Sequence, residues 1–274
     1  MSLNAENVCI KRGDRLIVED ISLILEPGQF LAIAGTNGSG KSTLLGGLSR
    51  ELPLESGSVS IDGVTLDHWH PRDLAQRRAV LAQESKLSFP FAVLDVVLMG
   101  RTAHNQGVES VADIEIVSRA LERAGLQGFE NRPYTSLSGG ERQRVHLARV
   151  LAQVWGSGLD GENEHESTPS YLMLDEPTAS QDLASQHRVL SCARDFADSG
   201  AGVVCVLHDL NQVAQYADRV LLLSDGKAVA YGEPRNILTP HILEPVYGVP
   251  IEVVEDERFS HPIILSRRPQ IDTL

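Results

Sequence analysis

Apolar residues follow three rhythms along the chain. Residues 5–10, 16–25 and 58–61 alternate apolar and polar positions and are bounded by turn residues, D-G after the last of them. Period two with such punctuation predicts strands with one covered face, gathered in a small antiparallel layer. Residues 30–34 (F-L-A-I-A), 171–174 (Y-L-M-L) and 203–207 (V-V-C-V-L) are short and apolar throughout. Such runs predict parallel strands covered by helices on both faces. Residues 219–224 and 227–230 flank Asp225-Gly226 and read as a hairpin. Between 84 and 154 the period lengthens, with helices predicted at 93–99, 111–124 and 141–154 separated by glycine and proline breaks. In the last of these, Arg142, His146, Arg149 and Gln153 form a polar stripe opposite Val145, Ala148 and Leu151, so His146 is expected on a solvated face.

Composition narrows the class. The chain has 274 residues, 42% of them apolar, enough for a sizeable core. No apolar stretch approaches the ~20 residues of a membrane span, and the start M-S-L-N-A-E lacks the basic and apolar regions of a secretory signal. A net charge of −13 opposes nonspecific adsorption to nucleic acid, which is not an expected partner. Cys9, Cys192 and Cys205 have no metal-ligand spacing and are expected to be reduced thiols. Residues 155–170 are acidic and rich in glycine and serine, the composition of an exposed loop; their E-N-E-H-E has nothing to fix a metal's geometry. His68 and His70 read as turn residues, and the N-G-S at Asn37 lies in a glycine-rich turn where a glycan has no place.

The candidate chemistry begins at that turn. Gly35, Thr36, Asn37, Gly38, Ser39, Gly40, Lys41 and Ser42 (G-T-N-G-S-G-K-S) follow the 30–34 strand and open a helix expected from Ser42. Strand, glycine turn and helix N-terminus make an anion cradle, since backbone N–H groups turn inward and the helix start carries roughly half a positive charge. Lys41 then reaches the β and γ phosphates of a nucleotide, Ser42 ligates Mg²⁺ and Thr43 contacts the α phosphate. Asp175 ends the 171–174 run, a position that suits Mg²⁺, and Glu176 beside it is the expected base for a water attacking the γ phosphate. His208 follows the 203–207 strand and should reach the same sheet edge as a γ-phosphate contact. Gln83 ends another short apolar stretch, A-V-L-A-Q, from which its amide can approach Mg²⁺ or the attacking water.

With L-S-G-G-E-R-Q at 137–143 in place, the chain resembles an ATP-binding cassette (ABC) ATPase over nearly its whole length. The resemblance implies an α/β fold: a RecA-like phosphate-loop core at 1–83 and 156–232 with an antiparallel layer, an inserted helical subdomain at 84–155, and a C-terminal segment at 233–274. It implies ATP and Mg²⁺ as ligands and a head-to-tail pair of copies, in which Ser138, Gly139 and Gly140 contact the γ phosphate held by the other copy. It also implies binding at the cytoplasmic face of a bacterial plasma membrane to a transmembrane permease dimer, served by an extracytoplasmic haem-binding protein. Importer ATPases of the iron-siderophore, haem and vitamin B12 class are the most similar, through S-F-P-F-A-V-L-D-V-V-L-M-G-R at 88–101, and overall similarity points to haemin. Phe89 and Phe91 are then expected in an apolar groove that receives the permease. Two departures stand out: Arg12 occupies the position where an aromatic ring often stacks on adenine, and 179–182 reads A-S-Q-D where S-A-L-D is frequent, with Asp182 kept. Soluble cassette proteins share the ATP chemistry, but they usually carry two phosphate loops or long heptad insertions, and neither is present here.

Overall fold

The computed structural model describes residues 1–83, 87–105, 107–155, 170–179 and 181–268. The loop expected at 155–170, with its E-N-E-H-E, therefore falls almost wholly outside the described residues. Two sheets carry the fold. β1 (Leu3–Arg12), β2 (Arg15–Leu25), β4 (Ser56–Ile61) and β5 (Val64–Thr65) pair antiparallel in the order β2-β1-β4-β5. β3 (Phe30–Gly35), β6 (Arg78–Leu81), β7 (Tyr171–Asp175), β8 (Gly202–Val206), β9 (Arg219–Ser224) and β10 (Lys227–Gly232) form the second, in the order β10-β9-β3-β8-β7-β6. All its pairings are parallel except the β9–β10 hairpin.

The apolar runs are buried on both faces, and period two divides their side chains between two cores. Leu31 and Ile33 of β3, Met173 of β7 and Val204 and Val206 of β8 face the antiparallel sheet and α1 (Lys41–Leu48), whose Leu44, Leu45 and Leu48 pack there. Phe30, Ala32 and Ala34, with Leu172, Leu174, Val203 and Cys205, face the opposite way, toward the helices. Burial pushes the Cys205 thiol well above its ordinary range, which suits an inert core residue.

The helical region holds α3 (Val93–Leu98), α4 (Val111–Arg123) and α5 (Gly139–Val154), and α2 (Pro71–Arg77) precedes it. His70 caps α2, its Nδ1 accepting from the Arg72 N–H. The solvated face expected for α5 is not found. His146 is only 3% exposed and its Nε2 lies 2.8 Å from the Tyr134 hydroxyl. Gln153, on the same stripe, donates to the carbonyls of Ala75 and Arg78. The helix packs against α3, α4, α2 and β6, so His146 and Gln153 of its polar stripe find protein partners in place of water.

After β7, α6 (Leu183–Asp198) and α7 (Leu210–Tyr216) alternate with β8 and β9. The C-terminal segment adds α8 (Pro234–Ile237), α9 (Pro240–Tyr247) and the hairpin β11 (Ile251–Val254) with β12 (Ile263–Ser266). Among the described residues, no helix is long and apolar enough to cross a membrane.

Candidate nucleotide site

The C-terminal ends of the parallel strands converge. Register sets Gly35 beside Leu223, Leu81 beside Leu174 and Asp175 beside Val206, so the residues that follow β3, β6, β7 and β8 emerge along one edge. That edge is where open α/β sheets bind ligands. A cleft of about 600 Å³ lies there, lined by Asn37, Gly38, Gly40, Lys41, Ser42, Thr43, Gln83, Glu176 and His208, with Ile17 of β2 at its wall.

The loop after β3 is shaped by close backbone approach. Gly35 has φ 144°, and a Cβ built on it would sit 2.2 Å from the Leu223 carbonyl oxygen, so packing against β9 alone demands glycine there. Gly40, at φ 99°, is the N-cap of α1 and offers no side-chain cap, and the first turn holds no acidic residue. The helix N-terminus is thus left to an external anion. Ser39 is 2% exposed and its Oγ has no hydrogen-bond partner, a buried polar atom that a bound group can satisfy.

Lys41 is 5% exposed and donates to the carbonyls of Gly35 at 3.1 Å and Thr36 at 2.8 Å. Burial lowers its pKa, against the raising influence of the Glu176 and Asp175 charges. Ser42 Oγ donates to Asp175 Oδ1 at 2.9 Å. Burial raises the Asp175 carboxyl and the Glu176 charge adds to this, while the Ser42 hydrogen bond and the charges of Lys41 and His208 oppose it. A phosphate beside Lys41 and a divalent cation beside Asp175 would reverse both shifts, so these residues fit a metal–nucleotide. The fit requires few protein ligands, because Mg²⁺ is usually held by one or two carboxylates together with phosphates and water.

Glu176 turns the chain out of β7 in the left-handed region, at φ 49°, a costly conformation for a residue with a side chain. Its carboxylate is held from two other strands: Gln83 Nε2 donates to Oε2 at 2.8 Å and His208 Nε2 lies 2.6 Å from Oε1. Gln83 and His208 therefore both meet the expected base.

Ser138 stands apart from this cleft as the N-cap of α5. Its Oγ accepts from the Glu141 N–H at 3.3 Å and its own N–H donates to Glu141 Oε2 at 2.7 Å, a reciprocal capping box. Gly139 and Gly140 begin the helix, and a Cβ on either would meet nothing within 4 Å. Among the described residues, no close approach requires glycine at either position. Asp182 caps α6 through Ser185, accepting from its N–H at 2.9 Å and its hydroxyl at 2.8 Å. Arg12 is exposed at the end of the β1–β2 hairpin, opposite Arg15, and the cleft wall on that side is Ile17. The alternation of β2 was the available signal for Ile17. Asn211 of α7 is a further residue without a sequence signal: its amide pairs with both backbone groups of Ile264, fixing the C-terminal hairpin to the helix that follows His208. Phe89 and Phe91 are 70% and 39% exposed, with ring centroids 6.1 Å apart.

Residues 18–155 match the ABC transporter family model. A hemin import ATP-binding protein of Gloeobacter violaceus is 47% identical over 96% of this chain and 93% of its own. One of Pseudomonas fluorescens is 47% identical over 97% of this chain and its own full length. Among solved structures, an inward-facing ABC transporter described as of metal-chelate type superposes with a TM-score of 0.77 at 31% identity, covering 96% of this chain and 97% of that one. A dimeric bacterial ABC transporter cassette superposes with a TM-score of 0.71 at 26% identity, covering 85% and 99%.

Proposed function

The chain belongs to the ABC transporter family, and from that premise we propose that it is the ATP-hydrolysing subunit of a haemin importer, acting as a pair of copies beneath a membrane permease. The observation that carries the hydrolytic role is the fixed carboxylate of Glu176, clasped by Gln83 and His208 at the mouth of the phosphate cradle. The N-terminus of α1 and Lys41 hold the nucleotide's phosphates; Ser42 and Asp175 would hold Mg²⁺, which offsets phosphate charge. Glu176 accepts the proton of the attacking water. Each of its oxygens keeps a further lone pair, so the two contacts orient the carboxylate without exhausting its capacity to accept.

The start of α5, where the capping box takes up the N–H groups of Ser138 and Glu141 while Gly139 and Gly140 carry no side chain, supports the two-copy arrangement. Gly139 and Gly140 leave bare backbone at a helix start, a second anion site that this chain's own phosphate loop does not use. Solved cassettes of the same fold include a dimer. Residues 1–83 and 156–232 then form the nucleotide core, 84–155 the helical arm and 233–274 the C-terminal segment. Phe89 and Phe91, adjacent and exposed on the arm, present an apolar surface to the permease at the cytoplasmic face of the plasma membrane. Haemin rests on the likeness to hemin import ATP-binding proteins; the permease and an extracytoplasmic binding protein select it.

The test is reconstitution with the membrane permease of a haemin importer. ATP-dependent uptake of labelled haemin into vesicles is expected. Uptake of a ferric siderophore or cobalamin without haemin would reassign the ligand, and failure to bind any permease would remove the transporter role.

A further inference from the structure

The C-terminal hairpin reaches the catalytic edge through the side-chain amide of Asn211, which stands in the first turn of α7, three residues after His208. The amide takes both backbone groups of Ile264 in β12: Nδ2 donates to the carbonyl at 3.1 Å and Oδ1 accepts from the N–H at 2.8 Å. Among the described strands β12 pairs with β11 alone, so the amide sits at its free edge, where the next strand of a sheet would bond. The backbone N–H of Asn211 donates to Oδ1 of Asp209, the N-cap of α7, at 2.8 Å. Residues 208–211 are thus held at one end by Glu176, 2.6 Å from the His208 ring, and at the other by the hairpin.

Apolar packing anchors the C-terminal segment without that amide. Leu243, Ile251 and Ile264 are all buried in the core on the helical side of the large sheet. Burial of apolar surface is non-directional, whereas a pair of hydrogen bonds fixes an orientation. α7 depends on such contacts, because a helix of seven residues is not stable by itself and takes its place from tertiary partners. Gln212 and Tyr216 tie it to Gln186 and His187 of α6, at 2.8 Å each. Asn211 ties its first turn, the end next to His208, to the hairpin.

We propose that Asn211 is a positioning residue for ATP hydrolysis: through it the C-terminal hairpin fixes the start of α7, and with it the His208 ring against the Glu176 carboxylate. This rests on the reading of Glu176 as the base. The contact touches neither Lys41 nor Ser42, so it bears on hydrolysis and leaves phosphate binding alone. The C-terminal segment, which contributes no described residue to the lining of the cleft, thereby takes part in catalysis from outside it.

The experiment measures hydrolysis by the full chain at saturating ATP, and ATP affinity in a Glu176→Gln background. Asn211→Ala should lower kcat about tenfold, the order expected from two lost hydrogen bonds. ATP affinity should stay within about twofold, whereas a contact that only supports folding would move both. Asn211→Asp has the same size and keeps the acceptor; it should lower kcat about threefold, and it carries the test if Asn211→Ala shifts the unfolding midpoint. A His208→Ala background locates the effect: in single-turnover phosphate release, adding Asn211→Ala to it should change the rate by less than about twofold. An unchanged kcat in both Asn211 variants, a parallel loss of ATP affinity, or a further tenfold loss in the His208→Ala background overturns the positioning role. Near-normal hydrolysis by Glu176→Gln overturns the base itself, and is read before any Asn211 variant is made.

Discussion

Glu176, the proposed base, is one strained residue that two distant side chains hold. Its left-handed backbone aims the carboxylate out of β7 into the cleft, and Gln83 and His208 stop it from turning away. Glu176→Gln keeps the shape and removes the base, so nucleotide binding should persist while turnover falls about 10²- to 10⁴-fold, the range of a lost general base. Single-turnover phosphate release measures this, and near-normal hydrolysis would strip Glu176 of the role. The phosphate-loop residues were legible in the sequence because they are contiguous: strand, glycine turn and helix start are local, and the chemistry follows from spacing. The clasp was legible only in part. Gln83, Glu176 and His208 could each be placed at a strand end, but their meeting depends on β6, β7 and β8 being neighbours in the sheet, and that order is a tertiary fact. Ile17 was less visible still, one apolar position among several in β2.

Among the elements, α5 depends most on its surroundings. Its C-terminal carbonyls are gathered by Arg101, which donates to Ala152 and Trp155 at 2.6 Å each and to Asp113 at 2.8 Å. Arg101 and Asp113 have side chains 5% and 7% exposed. Burial works to raise the Asp113 carboxyl, and the hydrogen bonds from Arg101 and Ser110 outweigh it, leaving the pKa below the ordinary value. A depressed folded pKa gives stability that is present above the unfolded carboxylate value and lost as pH falls through the folded one. Arg101→Met should cost about 3–5 kcal/mol, since it strands a buried carboxylate. Urea unfolding would show this as a lowered midpoint that partly recovers in acid, where Asp113 is protonated; an unshifted midpoint would show that the pair does not hold α5. The amphipathic stripe of α5 misled about His146 for a related reason. A polar stripe says that polar partners exist, and periodicity cannot distinguish water from the Tyr134 hydroxyl.

In the proposed two-copy arrangement, the whole molecule presents one half of a site at the sheet edge and another at the start of α5. If two copies complete each other, the Glu176→Gln chain should elute as a dimer with ATP and as a monomer without it. Ser138→Arg, which sets a bulky cation at the α5 N-terminus, should still bind ATP yet stay monomeric and lose hydrolysis. Dimerisation and hydrolysis by Ser138→Arg at unaltered levels would count against the shared site. By itself the sequence determined the strands of both sheets that it marked, the glycine turn between β3 and α1, the acids at the end of β7 and the family, because each is written in short-range pattern and spacing. Tertiary structure decided that Gln83 and His208 converge on Glu176, that His146 is buried, and that Arg101 and Asp113 pair. Those are contacts between residues distant in the chain, fixed by strand order and helix packing, which no local pattern encodes.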